Sequence, residues 1–299
     1  MASHALLRTM TNRFSMMKCV ARVAGTLEAR MTRLLMTRRG VLLVAAGAAL
    51  LLSAPTYLRA QFGPPPPQVV RPAKEVAPED LTGYWVSIVT EDWRWRMVTP
   101  AKGDYTSVPL NQEGRKVADT WDPAKDIAAG DQCRAYGAAG VMRDPGRLHI
   151  TWQDDNTLKI ETDAGTQTRL FHFNAKMPAH EAASWQGYSD ATWDGLRLAP
   201  VRRGSGASSA PPQAMGGALK VVTTDLKPGY LRKNGVPYSA NTVLTEYYDR
   251  TNEPNGDSWL IVTTIVDDPK YLYQEFVTST HFKKEPDGSK WDPEPCTAK

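Results

Sequence analysis

Apolar and polar residues alternate with period two over residues 147–153, 157–162 and 166–173, the pattern of half-buried strands. The separators Asp154-Asp155-Asn156 and Asp163-Ala164-Gly165 read as three-residue loops ending in a residue that tolerates positive φ, which predicts two hairpins. Loop length then sets the register: Gln153 opposite Thr157, Ile150 opposite Ile160 and His149 opposite Glu161. On that register Leu148, Ile150, Trp152, Leu158, Ile160 and Leu170 share one face. Arg147, His149, Thr151, Lys159, Glu161, Gln167 and Arg169 share the other, and a slip of one residue would mix the two sets.

The same pattern extends in both directions. Residues 82–88 predict a first strand, and Trp93-Arg94-Trp95-Arg96 alternates ring and guanidinium as a second strand would. Residues 219–224, 242–250, 258–266 and 272–282 are β-branched, aromatic runs joined by turn-rich segments. Residues 109–121 predict the one helix, and 122–145 a coil. Eight to ten strands connected mostly as a meander predict a mainly β fold: an antiparallel barrel or strongly curved, lipocalin-like sheet with one short helix. Residues 81–299 read as a single domain, with a Gly/Ser/Pro-rich mobile loop at 203–217.

The front of the chain has a different character. Arg38-Arg39 followed by the apolar run 41–52 and small residues up to Ala60 has the layout of a removable secretory leader. Twelve residues of helix span ~18 Å, short of the ~30 Å of a bilayer core. Thr37-Arg38-Arg39-Gly40-Val41-Leu42-Leu43 also matches a twin-arginine signal. The reading is therefore a leader over 1–60 that engages export machinery, with the true start near Met31 or Met36. A Pro-rich linker follows at 61–80, and the mature domain is placed in the periplasm or outside the cell.

Charge supports the division. Nine of the 36 Lys and Arg and one of the 32 Asp and Glu precede residue 61, leaving the remainder with 27 bases, 31 acids and a net charge of −4. A mildly acidic domain lacks the footprint of a nucleic-acid binder. Cys19 falls in the leader, so Cys133 and Cys296 form one pair in an oxidising compartment, and a disulfide is expected.

No nucleophile elbow, phosphate loop, dinucleotide fingerprint or zinc helix occurs, and no cofactor is predicted. His149, His172 and His281 fall on strands without a shared face, which predicts no metal site. The strongest constellation is the polar face of the meander: His149 paired with Glu161 as acid–base groups, with Arg147 and Arg169 beside them for an anionic group. Glu246 shares a strand face with Thr242, Leu244 and Tyr248, so an interior placement would make it paired or functional. Nine tryptophans and eleven tyrosines furnish a core and, equally, the lining of a ligand cavity. Trp152, Tyr238 and Tyr248 are the candidates for that lining.

Trp121-Asp122-Pro123-Ala124-Lys125-Asp126, Gln132-Cys133, Tyr136-Gly137, Asn234-Gly235-Val236-Pro237-Tyr238-Ser239 and Asp267-Asp268-Pro269 together resemble a large family of exported bacterial proteins. The resemblance covers most of residues 81–296 and implies export and a single domain, and it carries no mechanism. Many members read Pro-His-Ser where this chain has Pro237-Tyr238-Ser239. The leading expectation is an exported barrel binding a small, partly apolar or aromatic molecule in an aromatic-lined cavity. One alternative is a cofactor-independent isomerase, lyase or hydrolase with His149 or Glu246 as base and Arg169 or Tyr238 stabilising negative charge. The other is a structural partner in a cell-envelope complex, using Trp93-Arg94-Trp95-Arg96 as its contact ribbon.

Overall fold

The computed structural model describes residues 71–175, 177, 182–195, 197–198, 214–215 and 217–298. The expected leader, Cys19, residues 61–70 of the linker, His180 and residues 203–213 of the loop lie outside the described residues. Fifteen strands are described: β1 (Gly83–Ile88), β2 (Arg147–Asp154), β3 (Thr157–Thr162), β4 (Ala164–Gly165), β5 (Gln167–Phe173), β6 (Tyr188–Asp194), β7 (Arg197–Leu198) and β8 (Ala214–Met215), then β9 (Ala218–Thr224), β10 (Gly229–Arg232), β11 (Val236–Tyr238), β12 (Val243–Asn252), β13 (Ser258–Asp267), β14 (Phe276–Glu285) and β15 (Glu294–Pro295). Nine of them close into a barrel in the order β1-β14-β13-β12-β9-β6-β5-β3-β2. The fold is mainly β, as the alternation predicts. Every barrel pairing is antiparallel except β5 with β6, which breaks the expected meander.

Strand alternation is cleanest in β12, β13 and β14, where every second side chain is buried over Leu244 to Tyr248, Leu260 to Val266 and Phe276 to Phe282. The barrel axis is filled by Trp85, Ile150, Leu158, Ile160, Phe171, Tyr248, Val262 and Phe282 among others, a packed core of the kind small barrels form. A second apolar cluster, including Leu110, Leu226, Leu231, Tyr238, Leu244 and Phe276, joins the barrel to the short helices. Residues 71–80, expected as linker, pack on the barrel: Ala73 is buried in its core cluster and Lys74 N–H donates to Asp155 O (3.0 Å).

The first hairpin keeps the predicted pairs His149–Glu161 and Ile150–Ile160, but a bulge after Trp152 sets Asp154, not Gln153, opposite Thr157. The second departs further. Thr162 pairs with Gln167 across a four-residue connection, so Ile160 faces Arg169 and Leu158 faces Phe171. Within that connection β4 pairs in parallel with β15, and Thr166 takes a positive φ of 50°. One added loop residue turns β5 over. Arg169, Phe171 and Phe173 point into the barrel, and Leu170 and His172 point outward.

The segment 93–96 is a helical turn, α1 (Trp93–Arg96), rather than a strand. Trp95 and Arg96 N–H both donate to Asp92 O, and the turn leaves Trp93 66% exposed while burying Arg96. The expected helix is α2 (Gln112–Ala118), capped by the Asn111 side chain accepting from Gly114 N–H (2.8 Å). The expected coil holds α3 (Pro123–Ala129), a 3₁₀ turn (Arg134–Tyr136) and α4 (Ala138–Val141). Asp122 caps α3, Pro123 opens it and Gly130 closes it at φ 73°, a start-and-stop signature present in the sequence. Cys133 and Cys296 are joined with Cα atoms 5.1 Å apart, tying the tail to this helical segment.

The segments around Asn234–Ser239 and Asp267–Pro269 act as clasps. The Asp268 carboxylate accepts from Ser239 N–H (2.6 Å), Ser239 Oγ (2.9 Å) and Thr242 Oγ1 (3.1 Å), while Asn234 Nδ2 donates to Asp104 O (3.0 Å). Gly235, at φ 81°, lies so close to Trp121 that a Cβ would stand 2.2 Å from the indole.

Candidate functional site

The structure divides the sequence-predicted site residues into an interior group and an outer group. Inside, Arg169 and Glu246 are both fully buried and form a two-pronged ion pair, Nη1–Oε1 3.0 Å and Nη2–Oε2 2.6 Å. Nη2 also reaches Thr223 Oγ1 (3.3 Å), Tyr248 OH lies 3.4 Å from Nη1, and the guanidinium stands over the Phe171 ring. Burial opposes the charge on Arg169, but Glu246 outweighs it and holds the guanidinium above its ordinary range. Burial raises the Tyr248 hydroxyl likewise. On β12, Leu244 belongs to the lower cluster and Tyr248 to the barrel core, so Glu246 marks the junction of the two. Glu246 is therefore paired, with no exposed surface.

Outside, His149 Nδ1 lies 3.1 Å from Glu161 Oε2, as the register predicts, and Lys159 Nζ reaches the same oxygen at 3.0 Å. The imidazole stacks on Tyr84 with ring centres 4.2 Å apart, and Trp291 meets both rings edge-on. Arg147 pairs with Glu285 (2.9 Å). Arg169 is not part of this cluster, because the inversion of β5 sends it through the sheet. His172 consequently shares the outer face with His149, but pairs opposite Thr157, four residues along β5 from Thr168, the partner of Glu161. Trp152 packs on Phe173 and lines an open groove of about 610 Å³ with Glu79 and Asp80. Tyr238 is buried with no hydrogen-bond partner for its hydroxyl, which is pressed against Gly137 and Gly229 and raised by burial.

The constellation that sequence reasoning missed lies at the helical end. A narrow cleft with about 30 Å³ of free volume is lined by Trp95 and Arg96 of α1, Ala135, Gly140, Arg143 and Asp144 around α4, and Leu231, Arg232 and Lys233 of the β10–β11 hairpin. Arg96 is fully engaged: Nε donates to Arg143 O (2.8 Å), Nη2 to Ser87 Oγ (3.2 Å) and Nη1 to Glu91. Arg143 donates one Nη to Asp92 (2.8 Å), and its other, Nη1, is buried without a partner. Arg232 donates to Thr106 O (2.8 Å) and Ser107 Oγ (2.6 Å), makes no ion pair among the described residues, and has a buried, unpartnered Nε.

The electrostatics agree with that geometry. Burial, with Arg143 adding, pushes Arg232 down to about 10, against the pull of Asp92 and Asp104. Burial pushes the Asp144 carboxyl up to about 6, against the pull of Lys233, Arg96 and Arg143. Lys233 Nζ stands 3.5 Å from Asp144. Two buried guanidinium N–H groups without acceptors thus belong to residues lining one polar cleft, and an oxyanion is the partner their chemistry would suit. No spacing signal announces this site: Arg143, Arg232 and Trp95 are single residues on separate segments. Among the described residues no three His, Cys, Asp or Glu side chains are grouped to hold a metal ion.

No family model, curated protein or solved structure matches this chain.

Proposed function

We propose that this protein is an exported binder of a small, partly apolar molecule bearing an anionic group, held in the cleft between Trp95, Arg143, Leu231 and Arg232. The unpartnered N–H groups of Arg143 and Arg232 carry the proposal, because buried donors without acceptors cost stability that a bound oxyanion restores. The leader in the sequence supports an extracytoplasmic setting. Calorimetric titration with butyrate tests the reading. Binding should weaken by about 10- to 100-fold in Arg232→Gln, the loss of a charged hydrogen bond. Absence of butyrate binding, or equal binding by the variant, overturns it.

The envelope-partner reading is supported by a different observation. Trp93, Met97 and Val98 are all more than half exposed on the outer side of the segment that walls the cleft. Crosslinking in intact cells through a photoreactive residue at Trp93 would return a discrete adduct on this reading, and none without a partner.

A further inference from the structure

On the outer face of the barrel, β14 and the segment leaving β1 bring four side chains together in one chain of hydrogen bonds. Ser279 and His281 are two apart on β14, so they share a face of the strand. Ser279 Oγ lies 3.2 Å from His281 Nε2, and Thr90 Oγ1 lies 2.7 Å from the other ring nitrogen, Nδ1. Thr90 Oγ1 donates to Glu91 Oε2 (2.8 Å), which itself stands 3.7 Å from Nδ1. Glu91 is fixed in turn by Arg96, whose guanidinium also reaches Ser87 Oγ and Arg143 O.

The order of these bonds assigns the protons. A carboxylate only accepts, so the Thr90 hydroxyl proton is spent on Glu91, and the Thr90 oxygen is left to accept from His281. The reverse order would leave the Thr90 and Glu91 oxygens 2.8 Å apart with no proton between them. Nδ1 therefore carries the imidazole proton, and Nε2 presents its lone pair to the Ser279 hydroxyl. A hydroxyl, a base within reach of it and an acceptor that holds the base in one tautomer are the parts of an activated serine. We propose that Ser279 is a nucleophile toward small activated esters, with His281 as its general base and Thr90 as the residue that positions the imidazole.

Ser279 Oγ attacks the acyl carbon while its proton passes to Nε2. The tetrahedral intermediate then expels the leaving oxygen, which takes that proton from Nε2 and departs as a phenol, leaving acyl-Ser279. Water adds to the acyl carbon as Nε2 takes its proton, and the carboxylic acid leaves as the proton returns to Ser279. The surroundings set the substrate class. The His281 side chain is 31% exposed and sits between Ile261 and Ile88, while Ser279 pairs with Thr263 and Val277 beyond it is 56% exposed. An open, partly apolar sheet face suits a short acyl group, and it leaves water at the reacting centre, so the leaving group must be a good one. Phenyl esters of short acids meet both conditions. This activity is independent of the small-anion reading above, and neither needs the other.

Diisopropyl fluorophosphate separates an activated serine from an ordinary one: Oγ displaces fluoride at phosphorus, His281 takes the proton, and a stable adduct remains. Peptide mass spectrometry of the treated protein should place the adduct on Ser279 and find none in Ser279→Ala. Labelling should slow by about 100-fold or more in His281→Gln, the loss of a general base. Thr90→Val should slow it by about tenfold through a misplaced imidazole, and Thr90→Ser, which keeps the hydroxyl, should restore it. Hydrolysis of phenyl acetate should fall in the same order across these variants. No adduct, an adduct only on other residues, or equal labelling of His281→Gln and the unaltered protein overturns the proposal. Equal labelling of Thr90→Val overturns the positioning role of Thr90. Should His281→Gln fail to fold, the loss in Thr90→Val and its rescue in Thr90→Ser decide the matter.

Discussion

Replacing Glu246 with Gln leaves the Arg169 guanidinium charged, fully buried and facing an amide. Two short charge-assisted bonds, at 3.0 and 2.6 Å, become at most one neutral acceptor contact. Thr223 Oγ1 at 3.3 Å and Tyr248 OH at 3.4 Å are too distant to substitute for the carboxylate. Removing one partner of a buried pair costs about 3–5 kcal/mol, because the other is left uncompensated. For a domain of this size that is a fall of roughly 6–20 °C in Tm. Replacing both, Arg169→Met with Glu246→Leu, removes the charge together with its counter-charge and should cost much less than the sum of the single changes. Urea unfolding of the four proteins, with the disulfide intact, measures the coupling directly. Glu246→Gln within about 1 kcal/mol of the unaltered protein, or a double variant as unstable as the two singles added, would refute the argument.

Two further outcomes follow from the fold. Replacing Cys133 and Cys296 by Ser opens a loop of 163 residues and should cost a few kcal/mol, roughly 5 in the chain-entropy limit. Limited proteolysis should then cut first in the released tail, whose Thr297 hydroxyl now meets Tyr136 OH at 3.1 Å, and an unchanged Tm would contradict this. Burial, with Asp249 adding, pushes the Glu79 carboxyl up to about 7 despite a bond from Arg250 N–H. The folded state therefore keeps that proton to higher pH than the unfolded chain, and Glu79 withdraws stability as pH rises from about 4.5 to about 7. Glu79→Gln should gain stability relative to the unaltered protein across that window, by less than the full shift because the group is partly exposed. Parallel Tm–pH curves for the two proteins would refute it.

Much of the barrel is readable from alternation, since which side of a pleat a residue faces is a local property of the backbone. The strands β12 to β14 and the shared face of Glu246 and Tyr248 follow from it, the His149–Glu161 pair follows from loop length, and the pairing of Cys133 with Cys296 was expected from the cysteine count and the compartment that the leader predicts. Three things were decided elsewhere. The second hairpin gains a residue because β4 pairs with β15, more than a hundred residues away, and that gain alone carries Arg169 from the polar face to Glu246. Segment 93–96 coils because Asp92 accepts its amides and Arg96 is drawn to Arg143 O and Ser87, so a ring-and-guanidinium alternation becomes a turn with an inside and an outside. The arginine cleft is assembled from α1, α4 and the β10–β11 hairpin, segments of the chain that only the fold brings together. Whether a buried N–H group finds an acceptor depends on every segment packed around it, so an unpartnered donor such as Arg232 Nε exists only in three dimensions.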